Sequence, residues 1–170
     1  GYNVNNSAAG NSIFIGKDAG FAITEGQYNV MIGSAAGTEE TVGDSMTFVG
    51  HRAGRRTGGL GNLHNTFIGW EAGSGDWSSN SSNYNTVVGS AAFIGNCNGA
   101  LNNSAFGYNS LGDLTQGDQN TALGTNALAQ LTTSAGNVAL GFDAGQATVD
   151  SNYGVYVGWG AGASGDIAND

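Results

Sequence analysis

A glycine that returns at a nearly fixed interval constrains this chain more than any other feature. It stands at Gly16, Gly33, Gly50, Gly69, Gly89, Gly107, Gly124, Gly141 and Gly158, with successive gaps of 17, 17, 19, 20, 18, 17, 17 and 17 residues. Self-similarity at such a period means stacked structural repeats, each unable to bury its apolar face alone. The longer gaps fall together in the middle of the chain, which predicts inserted loops on one side of the coils there.

Aligned on that glycine, the columns have a chemistry. The residue just before it is large and apolar throughout: Ile15, Ile32, Val49, Ile68, Val88, Phe106, Leu123, Leu140 and Val157. Three before it stand Ile13, Val30, Thr47, Thr66, Thr86, Ser104, Thr121, Val138 and Val155, almost all β-branched and suited to a strand. Four before it is usually asparagine, as at Asn29, Asn65, Asn85, Asn103, Asn120 and Asn137. Stacked asparagines can form an amide ladder along the axis. Three after the glycine is alanine in every coil but one, where Ser110 replaces it. A column of that kind implies a site with room for a methyl group and little more.

These columns predict an all-β fold: a β-solenoid of about nine coils, each a strand–turn–strand unit, forming a single repeat domain over residues 1–170. The repeat glycine permits a positive φ at the turn. The chain has no proline, which would remove a ladder hydrogen bond. Nine coils spaced at ~4.8 Å are only ~40 Å long, a length that suits a segment of a fibre. Because side chains alternate along a strand, the columns one and three before the glycine share a face, which we assign to the coil interior. The column between them runs Phe14, Met31, Phe48, Phe67, Val87, Ala105, Ala122, Ala139, Tyr156. On this assignment it faces outward, and an apolar stripe of that length predicts self-association as a homotrimer. The alternative is that both faces are buried within one chain.

Thirteen acidic against four basic residues give a formal charge of −9. That balance disfavours nucleic acid, whose binding rests on neutralising phosphates, and disfavours anionic membrane surfaces. The apolar runs are too short to insert into a membrane. The single cysteine, Cys97, has no partner for an intrachain disulfide, and no Cys/His spacing suits zinc. His51 and His64 stand in different coils with no triad-like neighbours, and no nucleophile elbow or phosphate loop occurs. The expectation is therefore a chain with no enzyme activity, no cofactor and no metal. Asp76, Asp113, Asp118 and Asp166 adjoin turn glycines, where calcium is conceivable, but backbone-bonded turn aspartates are the commoner case.

Two groups of residues suggest binding. Arg52, Arg55 and Arg56 are three of the four basic residues, and they can contact an anionic sugar or pair with Glu39, Glu40 or Glu71. Trp70, Trp77 and Tyr84 offer flat amphipathic rings for sugar stacking. Trp77 sits in the longest insertion, Ser74–Asn83, which reads as a surface loop that can be shortened at little cost. The Asn80-Ser81-Ser82 sequon matters only in a eukaryotic secretory setting.

The strings Asn120–Leu128, NTALGTNAL, and Asn137–Gly145, NVALGFDAG, resemble the short repeats of phage tail-fibre proteins. They are also similar to the head repeats of trimeric autotransporter adhesins, although the period here is longer. The resemblance covers about Asn11 to Gly162. It implies a homotrimer on a virion tail fibre or at the cell surface, used for attachment to a host or surface through a glycan or other receptor. A purely structural spacer, with its binding tip elsewhere in a parent chain, is the alternative. An ice-binding solenoid ranks below both, because the hydroxyl file through Thr47, Thr66, Thr86, Ser104 and Thr121 has no second threonine file beside it.

Overall fold

The structure, a computed structural model, describes residues 10–58, 61–77 and 81–163. Each coil contributes one three-residue strand: β1 (Ile13–Ile15), β2 (Val30–Ile32), β3 (Thr47–Val49), β4 (Thr66–Ile68), β5 (Thr86–Val88), β6 (Ser104–Phe106), β7 (Thr121–Leu123), β8 (Val138–Leu140) and β9 (Val155–Val157). They form one parallel sheet in chain order, without a register slip, so that residues of one column pair directly, as Phe48 does with Phe67. The fold is an all-β parallel β-solenoid of about eight turns, with no helix among the described residues.

The second strand expected in each coil does not form as a ladder. Away from the sheet, the described coil consists of turns, with only an isolated bridge between Asp44 and Leu63. Inter-coil hydrogen bonds hold these turns in place. Two corners of each coil adopt a left-handed conformation: the residue five before the glycine, such as His64 and Tyr84, and the residue two after it, such as Arg52 and Glu71. This conformation costs a non-glycine residue roughly 1–2 kcal/mol. Here it aims the corner N–H along the axis, where Arg52 donates to the Ser34 carbonyl at 2.9 Å and Glu71 to the His51 carbonyl at 2.9 Å.

The repeat glycine is required twice over. Gly33 has φ of +139°, and a Cβ added there would lie 2.2 Å from the carbonyl oxygen of Gly50. No side chain fits where consecutive coils approach so closely.

The interior is the reverse of the sequence assignment. The middle strand column points inward: Met31, Phe48, Phe67, Val87, Ala105, Ala122 and Ala139 are fully buried, and Tyr156 nearly so. The columns one and three before the glycine lie on the outer face of the sheet, half-buried or exposed. The alternation holds with its phase inverted: the residue before the glycine is large and apolar in every coil although it faces outward, and the hydroxyls from Thr47 to Thr121 are the only polar mark of the outer face.

Volume explains the middle column. Where it carries Phe or Met, the residue four after the glycine is glycine: Gly20, Gly37, Gly54 and Gly73. Where it shrinks to Val87, Ala105 and Ala122, that position becomes Phe93, Leu111 and Leu128, all buried and all at positive φ. Both columns enter one enclosed space of nearly constant volume, as close packing demands. A Cβ on Gly54 would lie 2.5 Å from the Phe48 ring. Coil eight has Ala139 with Gly145, and Leu128 from the coil before and Tyr156 from the coil after fill its share, each within 2.9 Å of a Cβ built on Gly145.

The alanine column is buried from Ala19 through Ala144, and Ser110 satisfies its hydroxyl by donating to the Gly107 carbonyl at 3.0 Å. The asparagines form the expected ladder. The Asn103 amide donates to Asn85 Oδ1 at 3.1 Å and to the Gly117 carbonyl at 2.8 Å, while its own oxygen accepts the Asn120 backbone N–H at 2.9 Å. Each asparagine thereby satisfies buried backbone groups that the irregular turns leave without a sheet partner. Met46 interrupts the ladder in coil three, and Ser12 and Gly154 stand in its place at the two ends.

Candidate functional site

Three surfaces carry chemistry. The first is the outer face of the sheet. Its apolar file runs from Ile15 to Val157 without a polar break, with Ile15 56% and Leu123 48% exposed. Beside it the second file is apolar at both ends and hydroxylic from Thr47 to Thr121. Aromatic residues stand at the margins. His64 and Tyr84 stack at 5.2 Å with rings 11° apart, and Phe142 and Trp159 stack at 6.3 Å. Trp70 and Tyr108 are also exposed. No Lys, Arg, Asp or Glu occurs in either strand file.

The second surface lies past the corners that follow β3, β4 and β5. Arg52 pairs with Glu71 at 2.9 Å and Arg55 with Glu39 at 3.7 Å. Arg56 has no ion-pair partner among the described residues and lines a groove of about 270 Å³ with Arg55, Glu71, Ser74, Ile94 and Asn96. The arginine cluster thus divides: two members pair as expected, and one is left over. The third surface is the C-terminal end of the solenoid, where a cavity of about 530 Å³ opens between Ala147–Asn152 and Tyr156.

The expected binding residues separate accordingly. Trp70 and Tyr84 are exposed at opposite margins of the sheet face, while Arg55 and Arg56 line the groove. Trp77 departs from expectation: it is fully buried, its indole packed edge-on between Phe67 at 5.1 Å and Phe93 at 5.4 Å. It sits where the bulky interior residue passes from the strand (Phe67) to the turn (Phe93), and it fills that junction. Trp77 is therefore an interior residue of the insertion, whose residues 78–80 lie outside the described ones. Trp77 Nε1 is buried with no hydrogen-bond partner among the described residues. Asn80, most of whose sequon follows it, and Asp166 lie outside the described residues.

Sequence reasoning missed Glu40. It occupies an inward file that continues through Ile23, Thr57, Trp77, Cys97, Leu114 and Leu131, all buried. Its Oε1 accepts backbone N–H groups from Thr41, Val42 and Gly43 at 3.1, 3.3 and 2.9 Å, while its buried Oε2 has no partner among the described residues. Burial pushes the carboxyl above its ordinary range, against the opposing pull of those three N–H groups. In the sequence Glu40 reads as an ion-pair partner for the arginines; the signal available was that it falls seven residues after the repeat glycine, in the column of Ile23 and Leu114. Burial likewise raises the Cys97 thiol, whose sulfur lies 3.2 Å from the Leu114 carbonyl. Asp118 accepts the Leu101 N–H at 2.7 Å, a structural use of a turn aspartate.

No family model, characterised protein or solved structure matches this chain. Its function is argued from its own surfaces.

Proposed function

We propose that this chain is a non-enzymatic segment of a homotrimeric attachment fibre, of the kind carried as a tail fibre by virions or as a surface fibre by bacteria. One observation carries the reading: the apolar file on the outer face of the sheet, unbroken from Ile15 to Val157 and half-buried or exposed along its length. From the left-handed corner before the strand to the residue after the glycine, that face measures roughly 40 Å by 20 Å, on the order of 800 Å² per subunit, the size of a standard protein interface. A surface of this area with no charged residue in its strand files is costly to leave in water. Three copies packed around an axis parallel to the solenoid would cover it and leave the turn sides outward for attachment. The self-contact surface is the outer sheet face, in place of the middle column to which the sequence pattern pointed.

A spacer role is the second reading, favoured by the withdrawal of Trp77 into the interior, which takes the one ring of the Ser74–Asn83 insertion out of reach of a receptor. The test is adhesion by the isolated chain to whole cells or immobilised glycans. Saturable adhesion supports attachment; a stable trimer that adheres to nothing supports the spacer.

A further inference from the structure

We propose that the groove bounded by Arg55 and Arg56 is a subsite for the anionic group of a surface sugar, a carboxylate or sulfate ester on a pyranose ring. The inference rests on the attachment reading and gives it a ligand class. Three of the four basic residues of a chain with formal charge −9 fall within five positions, and this places them on one side of the solenoid. Glu71 and Glu39 pair with Arg52 and Arg55, and Arg56 at the groove wall has no ion-pair partner among the described residues. A guanidinium binds a planar or tetrahedral oxyanion through paired N–H donors.

The rest of the lining suits the body of a sugar. Ser74 and Asn96 bring a hydroxyl and an amide, groups that both donate and accept, and Ile94 gives an exposed apolar wall for a ring face. Coil stacking places these residues together. Arg55, Ser74 and Ile94 each stand five positions after their repeat glycine, in three consecutive coils. All three lie beyond the left-handed corners at Arg52, Glu71 and Ala91, away from the strand face. The groove therefore stays open when the sheet face is covered by other copies.

Calorimetric titration of the whole chain with 3′-sialyllactose, a heparin tetrasaccharide and lactose tests the assignment and separates carboxylate from sulfate recognition. At least one anionic probe is expected to bind, more weakly as salt rises, while lactose does not. Arg56→Gln should weaken that binding by on the order of tenfold, the effect of losing one charge-assisted contact. Glu71→Gln should tighten it, because it removes the negative charge from the lining. Failure of both anionic probes, equal binding of lactose, or unchanged binding by Arg56→Gln overturns the proposal. Circular dichroism and mass recorded on the same samples keep a misfolded variant from counting. A chain that adheres to cells but ignores both anionic probes loses this subsite and keeps the attachment reading. One that binds them with the expected Arg56 dependence but does not adhere keeps the subsite and loses the attachment reading.

Discussion

Adding one methyl group at Gly54, in two backgrounds, tests the shared-volume account of the interior. The three atoms nearest a Cβ at Gly54 all belong to Phe48, at 2.5, 2.6 and 2.6 Å. Gly54→Ala in the parent must therefore displace a fully buried ring that stacks on Phe67 at 5.0 Å, an overpacking cost of ~1–3 kcal/mol. It must also place alanine at φ of +58°, which costs ~1–2 kcal/mol more. Phe48→Ala by itself should cost ~3–5 kcal/mol through lost burial and the cavity left behind. In the Phe48→Ala background the ring is gone, so Gly54→Ala should cost only the backbone term. The backbone term appears on both sides of the cycle and cancels, which leaves a coupling of ~1–3 kcal/mol between the sites. Urea unfolding of the parent, both single variants and the double variant measures it. Additivity within ~0.5 kcal/mol would refute the idea that the two columns divide one space.

Other consequences are as direct. Ala127→Leu should destabilise by ~1–3 kcal/mol per subunit through overpacking at a fully buried methyl site, whereas Thr125→Ala, at the partly exposed residue after the repeat glycine, should change the melting temperature little. Asn103→Ala should cost ~1–3 kcal/mol and speed hydrogen exchange at the Asn120 amide, which loses its acceptor. Glu40→Gln should stabilise the fold at neutral pH. Because the folded carboxyl titrates above its ordinary value of 4.5, the parent's stability is intact below that pH and falls as pH rises through the folded value. The advantage of the Gln variant should accordingly be absent in acid, open above pH 4.5 and then level off, as melting curves across pH would record.

The coil period, strand positions, turn glycines, alanine column and asparagine ladder were all legible in the sequence, because each reflects a steric or hydrogen-bonding demand that recurs in every coil. The phase of the strand was not. Ile32 and Met31 are equally apolar, and hydrophobicity alone cannot say which one faces in. The deciding signal was a correlation between columns: Phe48 with Gly54, and Ala122 with Leu128, trade volume, as only residues sharing an enclosed space must. The described residues also form one strand per coil where two were expected, because inter-coil bonds of the Asn103 type take the place of a second ladder. Trp77 was misplaced for a local reason. A Ser/Asn-rich insertion looks solvated, and the interior junction between Phe67 and Phe93 becomes visible only once the coils are stacked. Arg52 and Arg55 found two of the three glutamates proposed for them, while the third, Glu40, lies inside.

The central claim is that the outer sheet face is a self-contact surface, and a mass measurement in solution tests it most directly. Native mass spectrometry at micromolar concentration should give three chains for the parent. Leu123→Glu and Leu140→Glu, introduced together, place carboxylates on the exposed file without touching the interior. In a threefold assembly each would be buried near its symmetry copies, at a cost of several kcal/mol per ion. The account predicts monomers with unchanged circular dichroism for the double variant. A parent that is monomeric at that concentration, or a double variant that stays trimeric, would contradict it.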